Sequence, residues 1–389
     1  MRIGLVGVVL AGGLTACNGA ADVEPEPLPG LGILGHETHS QDSVNVEILA
    51  DDGDGLNRVM DMAFNPEADG ELWIVNATDD SVVIVHGATS SEPSSEKIID
   101  PYALHFMDEV SAISFGDPGL FGTSQESSNT YNGWGDPNYF MGPALWSSDL
   151  EVFGTSNPEA VEYLSDKWDM FVDLGSHLDM LHDSPLSTGI EWSHGNAYWV
   201  FDGYHDAVSL QDFKEDHGVG WDDHNDGEIL RYASGEVKSV TNVHSGMVLD
   251  RDNNMLYISD SGNGRIAVLD TTSGTMGARL PQVDEKPYPV HNLMDDAQIT
   301  TVVSEGVEVP SGLVWYEDHL LVADNKLGRI SAYTTDGELV DYLDLDVKEG
   351  ALQGLHVGPD GFLYVADGKD SRVLRISPNP AAFEETEEE

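Results

Sequence analysis

The chain has 389 residues, of which 70 are Asp or Glu and 17 are Lys or Arg, so its formal net charge is −53. A surface this acidic repels nucleic acid and anionic membranes and attracts cations, which argues against a nucleic-acid partner. The hydrophobic content of 40% is enough for a packed core, so the sequence is that of a folded protein rather than an acidic disordered one.

The N-terminus has the pattern of a processing signal. Arg2 supplies a positive charge, residues 3–10 are apolar, and the signal closes with Leu14-Thr15-Ala16-Cys17. This ending resembles the bacterial lipobox, and the resemblance implies cleavage before Cys17 and lipidation of its thiol. An ordinary signal peptide, with Cys17 incidental, is the alternative. We therefore expect an extracytoplasmic protein that is lipid-anchored to the bacterial cell envelope, at the outer membrane or the cell surface.

The remaining boundaries follow from composition. Cys17 is the only cysteine, so disulfides and cysteine-based metal or nucleophile sites are excluded from the mature domain. Residues 18–43 contain the run EPEPLPGLG and are predicted to form a flexible tether. Residues 381–389 are an acidic tail. The folded domain is therefore predicted to span residues 44–380.

Three stretches near the C-terminus repeat one pattern. They start at Gly246, Gly312 and Gly354, and each has a short apolar strand, a polar turn, a second strand ending in Ala-Asp or Ser-Asp, and a third strand opening near an arginine. One such unit cannot bury its own faces, so the copies must pack against each other. Weaker copies upstream give six blade starts, near residues 61, 112, 189, 246, 312 and 354. The sequence therefore predicts a β-propeller.

The two ends of the domain complete the ring. The last copy has three strands and ends with residues 372–377, whereas an unassigned strand, residues 44–49, precedes the first copy. Propellers commonly close when an N-terminal strand completes the final blade, which leaves no open edge. The predicted fold class is all-β, a six-bladed β-propeller closed by an N-terminal strand, and we expect a monomer.

The segments LYISDSGNGRI, LLVADNKLGRI and LYVADGKDSRV resemble NHL repeats. The resemblance is strong over residues 246–377 and poor over residues 100–188, and it implies the fold more firmly than a task. Some NHL propellers bind proteins or RNA, one branch consists of metal-dependent peptidyl-α-hydroxyglycine lyases, and similar propellers include sugar lactonases and paraoxonase-like hydrolases. In the lyase branch a metal histidine stands two places before the apolar residue that opens a first strand. Ser245 has that place before Met247 here, so amidating-lyase activity is disfavoured.

The second and third copies depart from the repeat through long loops. In the third copy the turn between the second and third strands is predicted to run from Gly203 to Asp226, and further expansions cover residues 126–142 and 157–188. Second-to-third-strand loops and blade-to-blade links emerge on one face of a propeller, so we expect all three expansions over one mouth of the central channel. Long loops on a rigid scaffold are where binding and catalysis concentrate.

These loops are rich in histidine and aspartate. The metal-ligand candidates are His205, His217, His224 and His244, then His182, with Asp206 and Asp216 as carboxylates that complete or orient the set. Imidazole and carboxylate suit zinc or copper better than calcium. Two alternatives stay open, because the histidines can instead be solvated or structural, or can contact substrate or transfer protons without a metal.

Two functions follow from these expectations. One is a non-enzymatic binding or scaffold propeller, for which the lack of a catalytic motif argues. The other is a metal-dependent hydrolase or lyase of the lactonase or amidating-lyase type, for which the histidine-rich rim argues. We expect the site on the loop-rich face near blades two to four, and we expect it to bind a divalent metal. If the histidines do not bind a metal, a binding module for a small-molecule or protein ligand is the alternative.

Overall fold

The computed structural model describes residues 30–127, 129–130, 135, 139–281 and 287–383. The predicted lipobox with Cys17, residues 18–29 of the predicted tether and most of the acidic tail lie outside these ranges. Among the helices that are described, none is both long enough and apolar enough to cross a membrane.

The strands form six sheets in the order expected of a propeller, which confirms the predicted fold class. Strand β1 spans Val44–Ala50. Blade one contains β2 Val59–Phe64, β3 Leu72–Asn76, β4 Ser81–His86 and β5 Ser94–Ile99. Blade two contains β6 Val110–Phe115, β7 Leu120–Gln125, β8 Ala144–Ser147 and β9 Asp179–Met180. Blade three begins with β10 Ser187–His194, β11 Ala197–Asp202, β12 Ala207–Asp212 and β13 Glu228–Tyr232.

The second half of the chain is more regular apart from one added hairpin. Blade four contains β14 Met247–Asp250, β15 Met255–Asp260, β16 Arg265–Asp270 and, after the hairpin β17 Thr275–Arg279 and β18 Val290–Asp295, β19 Ile299–Val303. Blade five contains β20 Pro310–Tyr316, β21 His319–Asp324, β22 Arg329–Tyr333 and β23 Leu339–Asp344. Blade six contains β24 Leu352–Val357, β25 Leu363–Asp367 and β26 Arg372–Pro378.

Helical structure is confined to connections. Helix α1 spans Ala103–Phe106 and helix α2 spans Pro158–Trp168. Helix α2 begins where it does because the Asn157 side chain accepts a hydrogen bond from the Glu159 amide and Pro158 fits the first turn. Short 3-10 turns span Gly32–Leu34, Gln41–Ser43, Asp52–Asp54, Ser261–Asn263 and Pro380–Phe383.

Strand β1 closes the ring, as predicted. It pairs antiparallel with β26, so that Val44 lies opposite Pro378. The segment before β1 also packs against the domain, since the Leu31 amide donates a hydrogen bond of 2.8 Å to Asp341 Oδ2 and Ile33 is buried. The folded part of the chain therefore begins before residue 44, the predicted boundary.

Apolar side chains hold neighbouring blades together. Trp73 of blade one is fully buried and packs edge-on against Phe121 of blade two, with ring centroids 5.0 Å apart. Removing a buried ring of this size costs about 3–5 kcal/mol in typical cores. The blades are therefore stabilised by each other, as the repeat pattern predicted.

The long insertion of blade three lies between other strands than predicted. Strand β12 begins directly after a short turn, because Ala207 pairs with Asp202. The prediction of one long turn from Gly203 to Asp226 is therefore wrong, because β12 lies within it. The strand was missed because it contains polar residues such as Gln211, which is buried, and a polar strand of this kind does not stand out in the sequence. Residues 213–227 instead connect the third and fourth strands. They leave the blade at the edge that carries the first-to-second-strand turn, where the Phe213 amide bonds to Asn196 O, and not at the predicted mouth.

Candidate metal centre between blades two and three

The insertion 213–227 extends from blade three to the outer strand of blade two. The Gly220 amide donates a hydrogen bond of 2.9 Å to His177 O, and Asn157 Nδ2 donates one of 2.9 Å to Val219 O. These contacts fix the insertion against the segment that contains β9. Side chains from both blades therefore meet along this seam.

Asp179 is the centre of the group that forms there. It lies in β9 and its side chain is fully buried. His224 Nδ1 lies 2.7 Å from Asp179 Oδ1, so this imidazole fixes the orientation of the carboxylate. The second oxygen, Asp179 Oδ2, is buried, has no hydrogen-bond partner and lies 3.9 Å from His217 Nε2. A buried carboxylate oxygen without a partner is costly unless something else compensates its charge.

Two further ligand atoms face this oxygen. His217 Nε2 lies 2.7 Å from Asp226 Oδ1. One atom each from Asp179, His217 and Asp226 lie within 4.8 Å of one another, and this is the one such group of His, Cys, Asp or Glu found in the described ranges. Small movements would bring all three to the roughly 2 Å distance of a bound transition metal.

The electrostatics of the group reflect two carboxylates in a partly buried place. Burial raises the pKa of Asp179 to about 6, although the hydrogen bond and charge of His224 oppose this rise. Burial lowers the pKa of His217, but the hydrogen bond to Asp226 and the nearby carboxylates outweigh it, so the pKa of His217 is raised overall. Burial raises the pKa of Asp226, and the His217 hydrogen bond more than reverses that, so the net direction is down. A cation between these groups would offset their negative charge.

The structure separates the predicted ligands into different places. It brings His217 and His224 to Asp179, and His182 lies beside them, with its ring centroid 5.4 Å from that of His224. His205 Nδ1 instead lies 2.8 Å from Asp202 Oδ2.

The other predicted residues also have partners elsewhere. His244 Nε2 lies 3.7 Å from Asp61 Oδ1 in the central channel. Asp216 Oδ1 accepts a hydrogen bond of 2.7 Å from the Gly218 amide and stabilises a turn. Asp206 lies in the turn after β11 with a φ of 48°, where its carbonyl oxygen accepts from Gly235.

Asp179 is the residue that sequence reasoning missed. It stands between His177 and His182 in the segment GSHLDMLHDSP, but only the pairing of β9 with β8 places its side chain toward the insertion. Asp226 was visible among the acidic residues of the loop, although nothing in the sequence distinguished it from its neighbours.

A cavity of about 540 Å³ adjoins this group. Its walls are mainly aromatic and imidazole side chains, among them His105, Phe106, Phe140, Trp168, Phe171 and His224. His224 lines the cavity and also contacts Asp179, so a molecule in the cavity would lie one side chain away from the carboxylates. Phe171 at the rim is 76% exposed, which leaves an apolar edge open to a ligand.

The fold and this group together define a six-bladed β-propeller with a possible metal-binding group between two blades. No protein-family model matches the sequence, so the NHL assignment stays a prediction. No curated protein matches it either.

Solved structures share the fold at low sequence identity. A luciferin-regenerating enzyme is 14% identical, with a TM-score of 0.51, over 86% of this chain and 95% of that chain. Regucalcin from Agrobacterium tumefaciens, described as a calcium-binding protein, is 13% identical, with a TM-score of 0.50, over 86% of this chain and 96% of that chain. A streptogramin B lyase is 11% identical, with a TM-score of 0.49, over 86% and 98%. At such identities the first two matches support the propeller fold alone.

Proposed function

We propose that the protein is a lipid-anchored, extracytoplasmic propeller that binds a divalent metal, zinc or copper, through Asp179, His217 and Asp226. The observation that carries this proposal is the buried Asp179 Oδ2, which has no hydrogen-bond partner and faces His217 Nε2. Mixed imidazole and carboxylate ligands favour these metals over calcium, which prefers oxygen ligands alone.

Hydrogen bonds around the group support its role as a ligand set. His224 contacts the oxygen of Asp179 that points away from His217, which is the usual arrangement for orienting a metal-binding carboxylate. His217 Nε2 would release its proton from the hydrogen bond to Asp226 when a metal binds, because a ligating nitrogen must be deprotonated. Metal affinity therefore decreases as pH falls through the range in which His217 becomes protonated.

The experiment is metal analysis of the full chain, purified in detergent and dialysed against zinc or copper at low concentration. We expect about one bound ion per wild-type chain and less than a tenth of that for Asp179→Asn and His217→Gln. His194→Gln is the matched control, because His194 is exposed at the end of β10 and lies in the first-to-second-strand turn. Equal metal content in wild type and in both ligand variants would overturn the site.

The adjoining cavity favours a ligand-binding module as the function of the whole. A cavity of about 540 Å³ with aromatic walls falls within the usual size range of small-molecule sites. We propose that it holds an apolar or aromatic ligand beside the metal. A metal-dependent hydrolase or lyase is the second candidate. It is favoured because His224 lines the cavity and also contacts Asp179, so the same imidazole would contact both a bound molecule and a proposed metal ligand. Turnover of a lactone panel that is lost with a chelator and in Asp179→Asn would select the enzyme.

The anchor is tested separately. Cys17→Ser should shift the protein from the membrane fraction to the soluble fraction, because a single lipidated residue would provide the attachment. Fractionation followed by immunoblotting measures this shift. Unchanged membrane partition of Cys17→Ser would contradict lipidation at this residue without affecting the metal proposal.

A further inference from the structure

A small residue recurs where the first strands of the blades approach each other most closely. At the position two residues after the first-strand residue that faces the end of the second strand, four blades have Ala112, Gly189, Gly312 and Gly354. Gly246 has the corresponding place directly before β14, where its carbonyl oxygen accepts a hydrogen bond from the Ser259 amide. A Cβ atom on Gly189 would lie 2.0 Å from Ser245 O, and one on Gly246 would lie 2.5 Å from Leu313 N. The inner ring therefore requires minimal side chains at this position.

Blade one breaks this rule. Its residue at the same position is Asp61, which faces Val75 of the second strand. The carboxylate fits because its neighbour is Gly354, where a Cβ atom would lie 2.3 Å from Asp61 Oδ1. Its other oxygen accepts a hydrogen bond of 3.1 Å from the Ile113 amide. A charged residue at the most crowded position of a repeat is expected where function overrides the local pattern.

His244 meets Asp61 from the opposite side of the channel. Blades one and four stand across the ring from each other, yet His244 Nε2 lies 3.7 Å from Asp61 Oδ1, and both side chains are less than 10% exposed. The His244 amide donates a hydrogen bond of 2.9 Å to Gln353 Oε1, which fixes the backbone at this point.

The hydrogen bonds of His244 determine which of its nitrogens carries the proton. Nδ1 lies 3.2 Å from Ser111 O, and a carbonyl oxygen only accepts, so Nδ1 is the donor. In the neutral imidazole Nε2 is then an acceptor, and it faces the carboxylate oxygen of Asp61, which is also an acceptor. At 3.7 Å these two acceptors are too far apart for a direct hydrogen bond, and a donor group between them would reach both. Burial raises the pKa of Asp61, and the charge of His244 and the backbone hydrogen bonds from Ile113 and Met62 oppose this rise.

A cavity of about 390 Å³ leads to this pair along the channel. It extends to Pro66 and Gly116, which follow the first strands of blades one and two, so it opens on the face with the first-to-second-strand turns. Phe64, Phe115 and Trp192 supply aromatic walls. Most residues that line the cavity are apolar, and its charged or imidazole side chains are Asp61, Glu191, His244 and His356.

Two further polar side chains of the cavity wall, those of His356 and Glu191, also offer acceptor atoms. His356 Nδ1 lies 3.0 Å from Val357 O, so by the same reasoning its Nε2 has no proton when the ring is neutral. Glu191 is a second buried carboxylate on the wall, and burial raises its pKa to about 7 against the lowering effect of Arg251. Among the described residues, those that line the cavity include no Lys or Arg. A ligand that fits these walls has donors or positive charge at one end and an apolar body.

We propose that the central channel binds a small organic ammonium compound, with its nitrogen between Asp61 and His244 and its apolar body between Phe64, Phe115 and Trp192. The ammonium group donates one hydrogen bond to each acceptor. The net charge of −53 raises the local concentration of such cations at the channel. This site is separate from the proposed metal centre and does not require it.

The test is calorimetric titration of the full chain, in detergent, at high ionic strength and with a chelator present. The probes are 2-phenylethylammonium and its neutral analogue 2-phenylethanol. We expect saturable binding of the ammonium probe at one site, with at least tenfold weaker binding of the alcohol. Asp61→Asn and His244→Gln should each weaken the ammonium probe at least tenfold. Asp318→Asn is the control, because it removes the same charge from an exposed turn on the same face and should leave binding unchanged.

Several outcomes overturn the proposal. Equal affinity of the wild type for the ammonium and alcohol probes would mean that the acceptor pair does not select charge, and this comparison holds even where a variant fails to fold. Binding of the ammonium probe that survives Asp61→Asn would place the ligand elsewhere. No binding to the wild type would mean that Asp61 and His244 form a permanent ion pair that needs no ligand. Because a chelator is present throughout, none of these results depends on the metal centre.

Discussion

In blades four and six, the aspartate that ends the second strand binds the arginine that opens the third. Asp260 Oδ2 lies 2.7 Å from Arg265 Nε, and Asp367 Oδ2 lies 2.9 Å from Arg372 Nε. In blade three the same position is Asp202, and its Oδ2 lies 2.8 Å from His205 Nδ1.

The partners of these carboxylates differ in their surroundings. The arginine side chains of blades four and six are 22% and 24% exposed, so each pair is a local brace at the edge of its own blade. Asp202 additionally lies 3.6 Å from Arg231, which is 5% exposed, and Arg231 lies 3.6 Å from Asp183, which in turn lies 2.7 Å from His291. The regular blades thus hold local, partly exposed contacts, since Arg372 also lies 3.7 Å from Asp370, whereas blade three joins the same carboxylate to a buried network. His205 in blade three therefore binds the strand-ending aspartate, as the arginine does in blades four and six.

The largest expected effect tests whether the regular half depends on ring closure. Deleting residues 18–50 removes β1, which pairs with β26 along its length, and should lower the melting temperature by more than about 10 °C or prevent folding, because blade six is left with an open edge. Deleting residues 18–29 should change it little. Thermal unfolding followed by circular dichroism compares the two truncations. Equal melting temperatures would contradict closure through β1.

The second prediction concerns the two kinds of carboxylate pair. Asp202→Asn should lower the free energy of unfolding by about 3–5 kcal/mol, because it leaves the buried Arg231 without one of its two carboxylates. Asp367→Asn should cost about 1–2 kcal/mol, because Arg372 can reach solvent. Denaturant unfolding of both variants measures the difference. Equal costs would show that the network in blade three behaves as a set of independent pairs.

The third prediction concerns Glu126, a buried glutamate of blade two, and the dependence of stability on pH. Burial raises the pKa of Glu126, at the start of the expanded loop of blade two, to about 7, although hydrogen bonds from Asn242 oppose this. A raised carboxyl pKa favours the protonated folded state, so its contribution to stability is full below pH 4.5 and is lost as pH rises toward 7. Glu126→Gln should therefore gain stability over the wild type across this window, by up to about 3 kcal/mol. A constant difference from pH 4 to pH 8 would contradict the shift.

The smallest expected effect is that of Asp216, a turn residue in the insertion 213–227, which is compared with the proposed metal ligand Asp226 in the same insertion. Asp216→Ala should lower stability by no more than about 1 kcal/mol, because Asp216 is exposed and accepts a single backbone hydrogen bond from Gly218. Its bound metal should equal that of the wild type. Asp226→Ala should lose the metal. Metal analysis of both variants checks this, and loss of metal in Asp216→Ala would return Asp216 to the ligand set.

The fold could be predicted because blades four, five and six carry the same clear local signals and the upstream blades carry weaker copies of them. The strand ends at Asp260, Asp324 and Asp367 recur at fixed positions after a small residue, so the register of each blade follows from the sequence. The small-residue position of the first strand could likewise have identified Asp61, since Asp61 is the one charged residue in a position otherwise filled by Gly or Ala. That inference needs only the alignment of the blades, which the sequence contains.

The candidate site was less predictable because it depends on contacts between distant segments. Histidines between residues 177 and 244 indicated the region. The insertion, however, follows β12 and not β11, so it leaves blade three at the other edge from the one predicted. Asp179 becomes a candidate only when β9 pairs with β8. Likewise, nothing local indicates that β18 of the blade-four hairpin pairs in parallel with β13 of blade three. Such pairings are set by packing between blades rather than by sequence near the residues concerned.

That hairpin has a consequence for how the chain can be reconnected. Because β17 and β18 leave blade four and join the outer edge of blade three, the sheet of blade three contains a hairpin that the blade-four segment supplies, whereas among the described strands none of blade four or five joins the other's sheet. A circularly permuted protein with new termini between blades four and five should assemble, since each half retains complete sheets. New termini within residues 271–274 would cut the connection that brings the hairpin to blade three. We therefore expect the propeller to tolerate new termini between blades four and five and not to tolerate them within residues 271–274.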